Sequence, residues 1–146
     1  MQVDKWHLRF LSIAKEVSTW SKDPSTQIGA VAVKDKVILS TGYNGFPRGI
    51  EDSESRYNDR QEKYRYIVHG EMNCIYNATH IGAKLDGSDL YVYGLPTCSE
   101  CAKGIIQVGV KKVFVCYPEN IKEKWSESEK LSSDMYKQAG VDYYRL

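Results

Sequence analysis

The sequence predicts an α/β fold of three layers, a mixed five-stranded sheet with helices on both faces. Three observations predict it. An amphipathic segment opens the chain. Two strand-like runs follow it, separated only by Lys34-Asp35-Lys36. Strand-like and helical segments then alternate to the end, and strand–helix–strand units of this kind pair their strands in parallel. Helices flanking a mixed sheet are the packing that buries both its faces.

The elements follow in order. From Trp6 to Trp20, Leu8, Leu11 and Ile13, with Phe10, Ala14 and Val17, stand at helical spacing, and Asp23-Pro24-Ser25 breaks the pattern. Ile28 to Val33 and Val37 to Thr41 read as the two strands of a hairpin. Gly42 to Gly49 holds three Gly and one Pro and reads as a loop. Glu51 to Tyr66 is highly charged without a clear period, and reads as a surface excursion. His69 to His80 has a helical stripe of Met72, Ile75, Tyr76 and Thr79. Asp89 to Tyr93 is a strand, Cys98 to Val108 a helix with Ala102, Ile105 and Ile106 inward, and Lys112 to Cys116 a strand. Ser126 to Ala139 is a helix stopped by Gly140, the residue type a C-terminal cap prefers, and Val141 to Tyr144 is a last short strand.

The 146 residues suit a single domain spanning 1–146. With 20 Lys and Arg against 19 Asp and Glu, the formal net charge is +1. A protein gripping a long nucleic acid usually carries a clear basic excess, so this balance favours a small substrate over a polymer. No run approaches the ~18 apolar residues of a membrane helix. The charged N-terminus lacks the apolar core of a leader, so the expectation is a cytoplasmic protein with reduced thiols.

The chemistry sits at the starts of two helices. His69-Gly70-Glu71 opens one, and Cys98-Ser99-Glu100-Cys101 opens the next. Two thiolates and one imidazole make a soft-to-borderline donor set suited to zinc. The Cys-x-x-Cys spacing lets both sulfurs reach one ion from a single turn, where the positive end of the helix favours thiolates. Three protein ligands leave a fourth position open, the pattern of a catalytic zinc. Glu71, two residues after His69, is free to carry protons. The other readings are a redox pair or a structural zinc. A structural site wants a fourth ligand, for which His80, Cys74 and Cys116 are available by type. The spacing of the remaining His and Cys residues forms no second cluster, so one Zn2+ per chain is expected, with Cys74 and Cys116 read as buried thiols.

His-x-Glu followed by a Cys-x-x-Cys pair resembles the signature of zinc deaminases. Ser21 to Ala30 resembles the SKDP-x-x-Q-hydrophobic-G-A segment of deoxycytidylate (dCMP) deaminases. Gly42 to Pro47 resembles their GYNG-x-P loop, His69 to Asn73 their HAE-x-N, and Cys101 to Gln107 their CAK-x-IIQ helix. The match runs from about Trp6 to the C-terminus, and the compact length suits a phage or bacterial member (host cytoplasm, if phage-encoded). Two departures stand at the metal's edge: Gly70 where Ala is usual, and Thr97 inserted between Pro96 and Cys98.

The resemblance implies the cytidine deaminase-like fold and hydrolytic deamination of dCMP to dUMP and ammonia, which feeds thymidylate synthesis. It implies a homo-hexamer activated by dCTP and inhibited by dTTP with Mg2+. It makes His69, Cys98 and Cys101 the metal ligands and Glu71 the proton carrier. It makes Asn44 the holder of the substrate's sugar and Thr26 and Ile28 part of the substrate pocket's wall, and it places Gly42, Tyr43, Gly45 and Arg48 at the effector site. Asn44 has a second reading as a turn residue before Gly45, and Arg48 one as an ordinary solvated charge. Tyr117 reads as packing or as a contact to substrate. A phosphate needs a hydroxyl, an N–H or a cation, and Thr26, Lys22 and Lys103 are the candidates.

Overall fold

The computed structural model describes residues 1–146. Helix α1 (Lys5–Ser18) begins at Asp4, whose carboxylate accepts from the amides of Trp6 and His7, while the His7 ring accepts from the Asp4 amide. Strands β1 (Gly29–Lys34) and β2 (Val37–Tyr43) form an antiparallel hairpin. Its two-residue turn holds Asp35 and Lys36 at φ of 51° and 63°, the twist a tight hairpin needs.

The charged excursion is ordered. It forms α2 (Glu54–Asn58) and α3 (Arg60–Tyr66), capped by the side chains of Ser53 and Asp59. Five and seven residues are too few to display a helical period, so the caps were the legible signal. Then come α4 (Gly70–Ile81), β3 (Asp89–Tyr93), α5 (Ser99–Gln107), β4 (Lys112–Cys116), α6 (Glu123–Ala139) and β5 (Asp142–Arg145). Gly140 closes α6 in the left-handed region as expected, but α6 starts before the expected Ser126.

The sheet order is β2-β1-β3-β4-β5. β1 runs antiparallel to β2 and β3, whereas β3, β4 and β5 are parallel. Strand alternation divides the core in two. Ala30, Ala32, Leu90, Val92, Val113 and Val115 face one way and pack with residues of α4, α5 and α6, including Ile75, Ile105 and Tyr136. Val31, Val33, Tyr91 and Phe114 face the other way onto Phe10, Leu11, Ala14 and Val17 of α1. Leu8 and Ile13 stay exposed, as do Tyr76 and Thr79. The buried stripe of α4 is Glu71, Cys74, Ile75 and Ala78, one step round the helix from the stripe expected.

Two glycines let backbones meet. A Cβ on Gly29 would lie 2.0 Å from the Ala14 carbonyl oxygen, and one on Gly42 would lie 2.1 Å from the Cys74 amide nitrogen. Gly42 is therefore buried where β2 seats α4.

Candidate active site

The N-termini of α4 and α5 converge beside β1 and β3. His69 is the N-cap of α4, in extended backbone conformation, and its side chain caps nothing. Its ring turns instead to α5, where Nδ1 lies 3.4 Å from Cys98 Sγ and 3.3 Å from Cys101 Sγ. The ligand atoms of these three residues lie within 4.8 Å of one another, and no fourth residue joins the group. Zinc bound at ordinary Zn–S and Zn–N lengths in tetrahedral geometry would set S and N about 3.6 Å apart, so the donors fit that ion. Cys74 is elsewhere, hydrogen bonded to the Ser40 carbonyl, and burial pushes its thiol up to about 12.

Cys98 is the N-cap of α5, and its sulfur accepts from the Cys101 amide at 3.4 Å. Hydrogen bonds from Cys101 and His69 lower the Cys98 thiol to about 4, and the same pairing with Cys98 raises Cys101. The bond to Cys98 raises His69 to about 8. The site thus stabilises one thiolate unaided, and a dication is the partner that supports two.

Glu71, in the first turn of α4, is only 4% exposed. Burial pushes its carboxyl up to about 7, where it both takes and releases a proton near neutral pH. It opens into a cavity shared with His69, Cys98, Thr26, Ile28 and Asn44. The structure therefore brings together the metal ligands, Glu71 and three of the four residues expected around the substrate.

The Asn44 amide is occupied within the wall itself. Its Oδ1 accepts from the Ile28 amide at 2.8 Å, and its Nδ2 donates to the Thr26 carbonyl at 2.8 Å. Asn44 is more than a turn residue: it holds the Thr26–Ile28 wall in place. Tyr117 does not line the cavity. Its hydroxyl donates to Glu129 at 2.7 Å, and Arg145 sits 3.9 Å over its ring, an arrangement of packing. Lys22 pairs with Asp52 and Lys103 with Glu100, both at 2.8 Å and away from this cavity, so neither serves a phosphate here.

Several cavity residues were not read from the sequence. Asp23 is buried, and its Oδ1 accepts from the amides of Ser25 and Thr26 and from Lys63 Nζ at 3.2 Å. Lys63 and Tyr64 of α3, Leu95 and Pro96 before α5, and Trp125 of α6 complete the walls. Asp23 stood in a recognisable segment and was legible as a turn former; Lys63 had no periodic signal to mark it.

Both departures at the metal's edge have structural reasons. Thr97 is fully buried, bonds the Tyr136 hydroxyl at 2.8 Å, and offers its carbonyl to Ser132 at 2.9 Å. The added residue ties the entry of α5 to α6. A Cβ on Gly70 would lie 3.1 Å from both Cγ2 and the carbonyl oxygen of Ile28, so glycine lets Ile28 crowd the start of α4.

Tyr43, Gly45 and Arg48 line a separate surface pocket with Phe46, Asn73 and Asn77, where the Arg48 guanidinium donates to Asn77. Gly45 and Val68 exchange backbone bonds of 3.1 and 2.8 Å, which ties this loop to the residue preceding His69.

Comparison with known proteins agrees with this geometry. The sequence profile of the cytidine and deoxycytidylate deaminase zinc-binding region matches residues 4–117. An uncharacterized deaminase from the luxG 3′ region of Aliivibrio fischeri is 42% identical over 143 residues, covering 96% of this chain and 92% of that protein. The deoxycytidylate deaminase of Mus musculus is 35% identical over 150 residues, covering 97% and 80%. The crystal structure of dCMP deaminase from cyanophage S-TIM5 with dCMP and dUMP superposes with a TM-score of 0.77, covering all of both chains at 24% identity, and so shares the fold. With profile, relatives and metal-ready geometry in agreement, this chain belongs to the zinc-dependent cytidine and deoxycytidylate deaminase family.

Proposed function

We propose that this chain deaminates dCMP hydrolytically to dUMP and ammonia, supplying dUMP for thymidylate synthesis. The observation that carries the reading is the single cavity uniting Glu71 with the His69, Cys98 and Cys101 donors, in a chain whose likeness to a deoxycytidylate deaminase covers 97% of its length. His69, Cys98 and Cys101 would hold zinc, which would supply the Lewis acidity that brings ionisation of water towards neutral pH. Glu71 takes a proton from water and delivers it to N3 of the cytosine ring as the water oxygen bonds to C4. It then moves the second water proton to the C4 amine; the C–N bond breaks, and ammonia leaves. Ile28 and Leu95 present apolar surface to the base and limit competing water. Asn44 would hold the sugar, beside the Thr26–Ile28 wall to which it is hydrogen bonded.

Regulation by dCTP as activator and by dTTP with Mg2+ as inhibitor belongs to the same reading, with Gly42, Tyr43, Gly45 and Arg48 as the effector residues. The pairing of Gly45 with Val68, next to His69, supports a route from that pocket to the metal ligands. A cytoplasmic homo-hexamer completes the proposal. No helix is long and apolar enough to cross a membrane.

The test is ammonia release from dCMP, dCTP, deoxycytidine and CMP, each with and without dTTP and Mg2+. dCMP should be the best substrate. Preference for deoxycytidine would defeat the nucleotide reading, and indifference to dTTP would defeat only its regulatory part.

A further inference from the structure

A groove continues outward from the catalytic cavity and shares Thr26, Lys63, Tyr64, Leu95 and Trp125 with it. Beyond that common wall it carries Lys15, Arg60, Lys122 and Lys124, and no carboxylate lines it. The chain as a whole has nearly balanced charge, so this one-sided lining is a local arrangement and does not follow from composition.

Two of these cations, together with Lys63 of the shared wall, converge on a single ring. Lys63 Nζ, Lys124 Nζ and the Arg60 guanidinium lie 5.4, 5.7 and 5.9 Å from the centroid of Tyr64. Arg60 and Lys63 come from α3, whereas Lys124 comes from the first turn of α6. The aromatic face offsets part of their mutual repulsion. Neither Arg60 nor Lys124 has a carboxylate partner, although Lys22, Arg65 and Lys103 each have one. Lys63 differs, for its ammonium is buried and held by Asp23 at 3.2 Å. Asp23 also holds the amides of Ser25 and Thr26, so one carboxylate fixes both the shelf that bears the cations and the wall shared with the cavity.

We infer that Arg60 and Lys124, positioned around Tyr64 and backed by Lys63, bind the 5′-phosphate of the substrate and select nucleotide over nucleoside. The inference rests on the dCMP reading and names residues for it. A phosphomonoester carries nearly two negative charges at neutral pH, and it offers an arginine fork and an ammonium the acceptors they lack here. The groove opens beside Thr26, on the outer side of the base cavity, where the sugar's phosphate would emerge.

The test compares kcat/KM for dCMP and deoxycytidine in the zinc-loaded protein, its Arg60→Ala, Arg60→Lys and Lys124→Ala variants, and Lys103→Ala as a control. Each alanine variant at positions 60 and 124 should lower the dCMP-to-deoxycytidine ratio roughly 10- to 100-fold, mainly through KM for dCMP. Arg60→Lys should recover part of the loss, and Lys103→Ala should leave the ratio as it was. Calorimetric affinity for dUMP should fall in parallel. Equal loss on both substrates, or an unchanged ratio and dUMP affinity, would overturn the subsite. A parent protein inactive on dCMP would instead defeat the dCMP reading; the groove would then stand or fall on whether dUMP and inorganic phosphate bind and whether Arg60→Ala and Lys124→Ala weaken them.

Discussion

The two faces of the sheet carry different work. Beneath α1 the filling is largely aromatic: Tyr91, Phe114 and Tyr144 stack successively and Phe10 tilts against Tyr91, with centroids 4.8–5.4 Å apart. Even His7 is used this way, its ring 4.5 Å from that of Phe114 and its Nδ1 spent on the Asp4 amide. On the opposite face small residues, Ala30, Ala32, Ala78 and Ala102, let helices approach closely, and helix N-termini bring polar groups against the sheet. There His69 begins α4 without capping it, and its ring is left for the metal. The same residue type, placed at two helix starts, serves packing at one and chemistry at the other, according to which neighbours the sheet provides.

The comparison is broken or sharpened most strongly at Glu71. Glu71→Gln should lower turnover of dCMP by about a hundred- to ten-thousand-fold while zinc content, measured by atomic absorption, stays near one per chain. An active variant would remove chemistry from this face. On the other face, Phe114→Ala should lower unfolding free energy by about 3–5 kcal/mol in urea titration, and the folded fraction should retain its zinc. Zinc loss from that folded fraction would mean the faces are not separable.

Gly42→Ala should cost about 1–3 kcal/mol and loosen the metal site, since its new methyl meets the backbone of the helix carrying Glu71. A variant of parental stability with an altered response to dCTP would make Gly42 an effector residue and not a packing one. The smallest effect is expected at Asp89 on the α1 face, where one buried carboxylate oxygen has no hydrogen-bond partner and burial raises its pKa. A raised folded pKa means the folded state binds the proton more tightly, so stability falls as pH rises through the normal carboxylate range. Asp89→Asn should thus gain a few tenths of a kcal/mol at pH 7, allowing for partial solvent screening, with the gain fading below about pH 4. Melting curves across that range would check the sign.

Much of this was legible in advance for reasons that are local. His69, Glu71, Cys98 and Cys101 announce themselves by residue type and short spacing, and β3 and β4 by apolar runs whose limits the structure reproduces. Tyr117 kept two readings because a strand-end tyrosine near a metal helix looks the same whether it faces substrate or Glu129. Lys63 was hidden because a short charged helix has no period, and its burial depends on Asp23, far away in the chain.

The sequence by itself determined the donor set, the proton carrier and the alternation of strands and helices, because each is written within one or two turns of chain. Only the tertiary structure decided that Asn44 holds a wall, that Gly42 seats a helix, and that Arg60 and Lys124 meet across Tyr64. Those relations join segments distant in sequence, and their energies depend on burial and charge that exist only once the layers have packed.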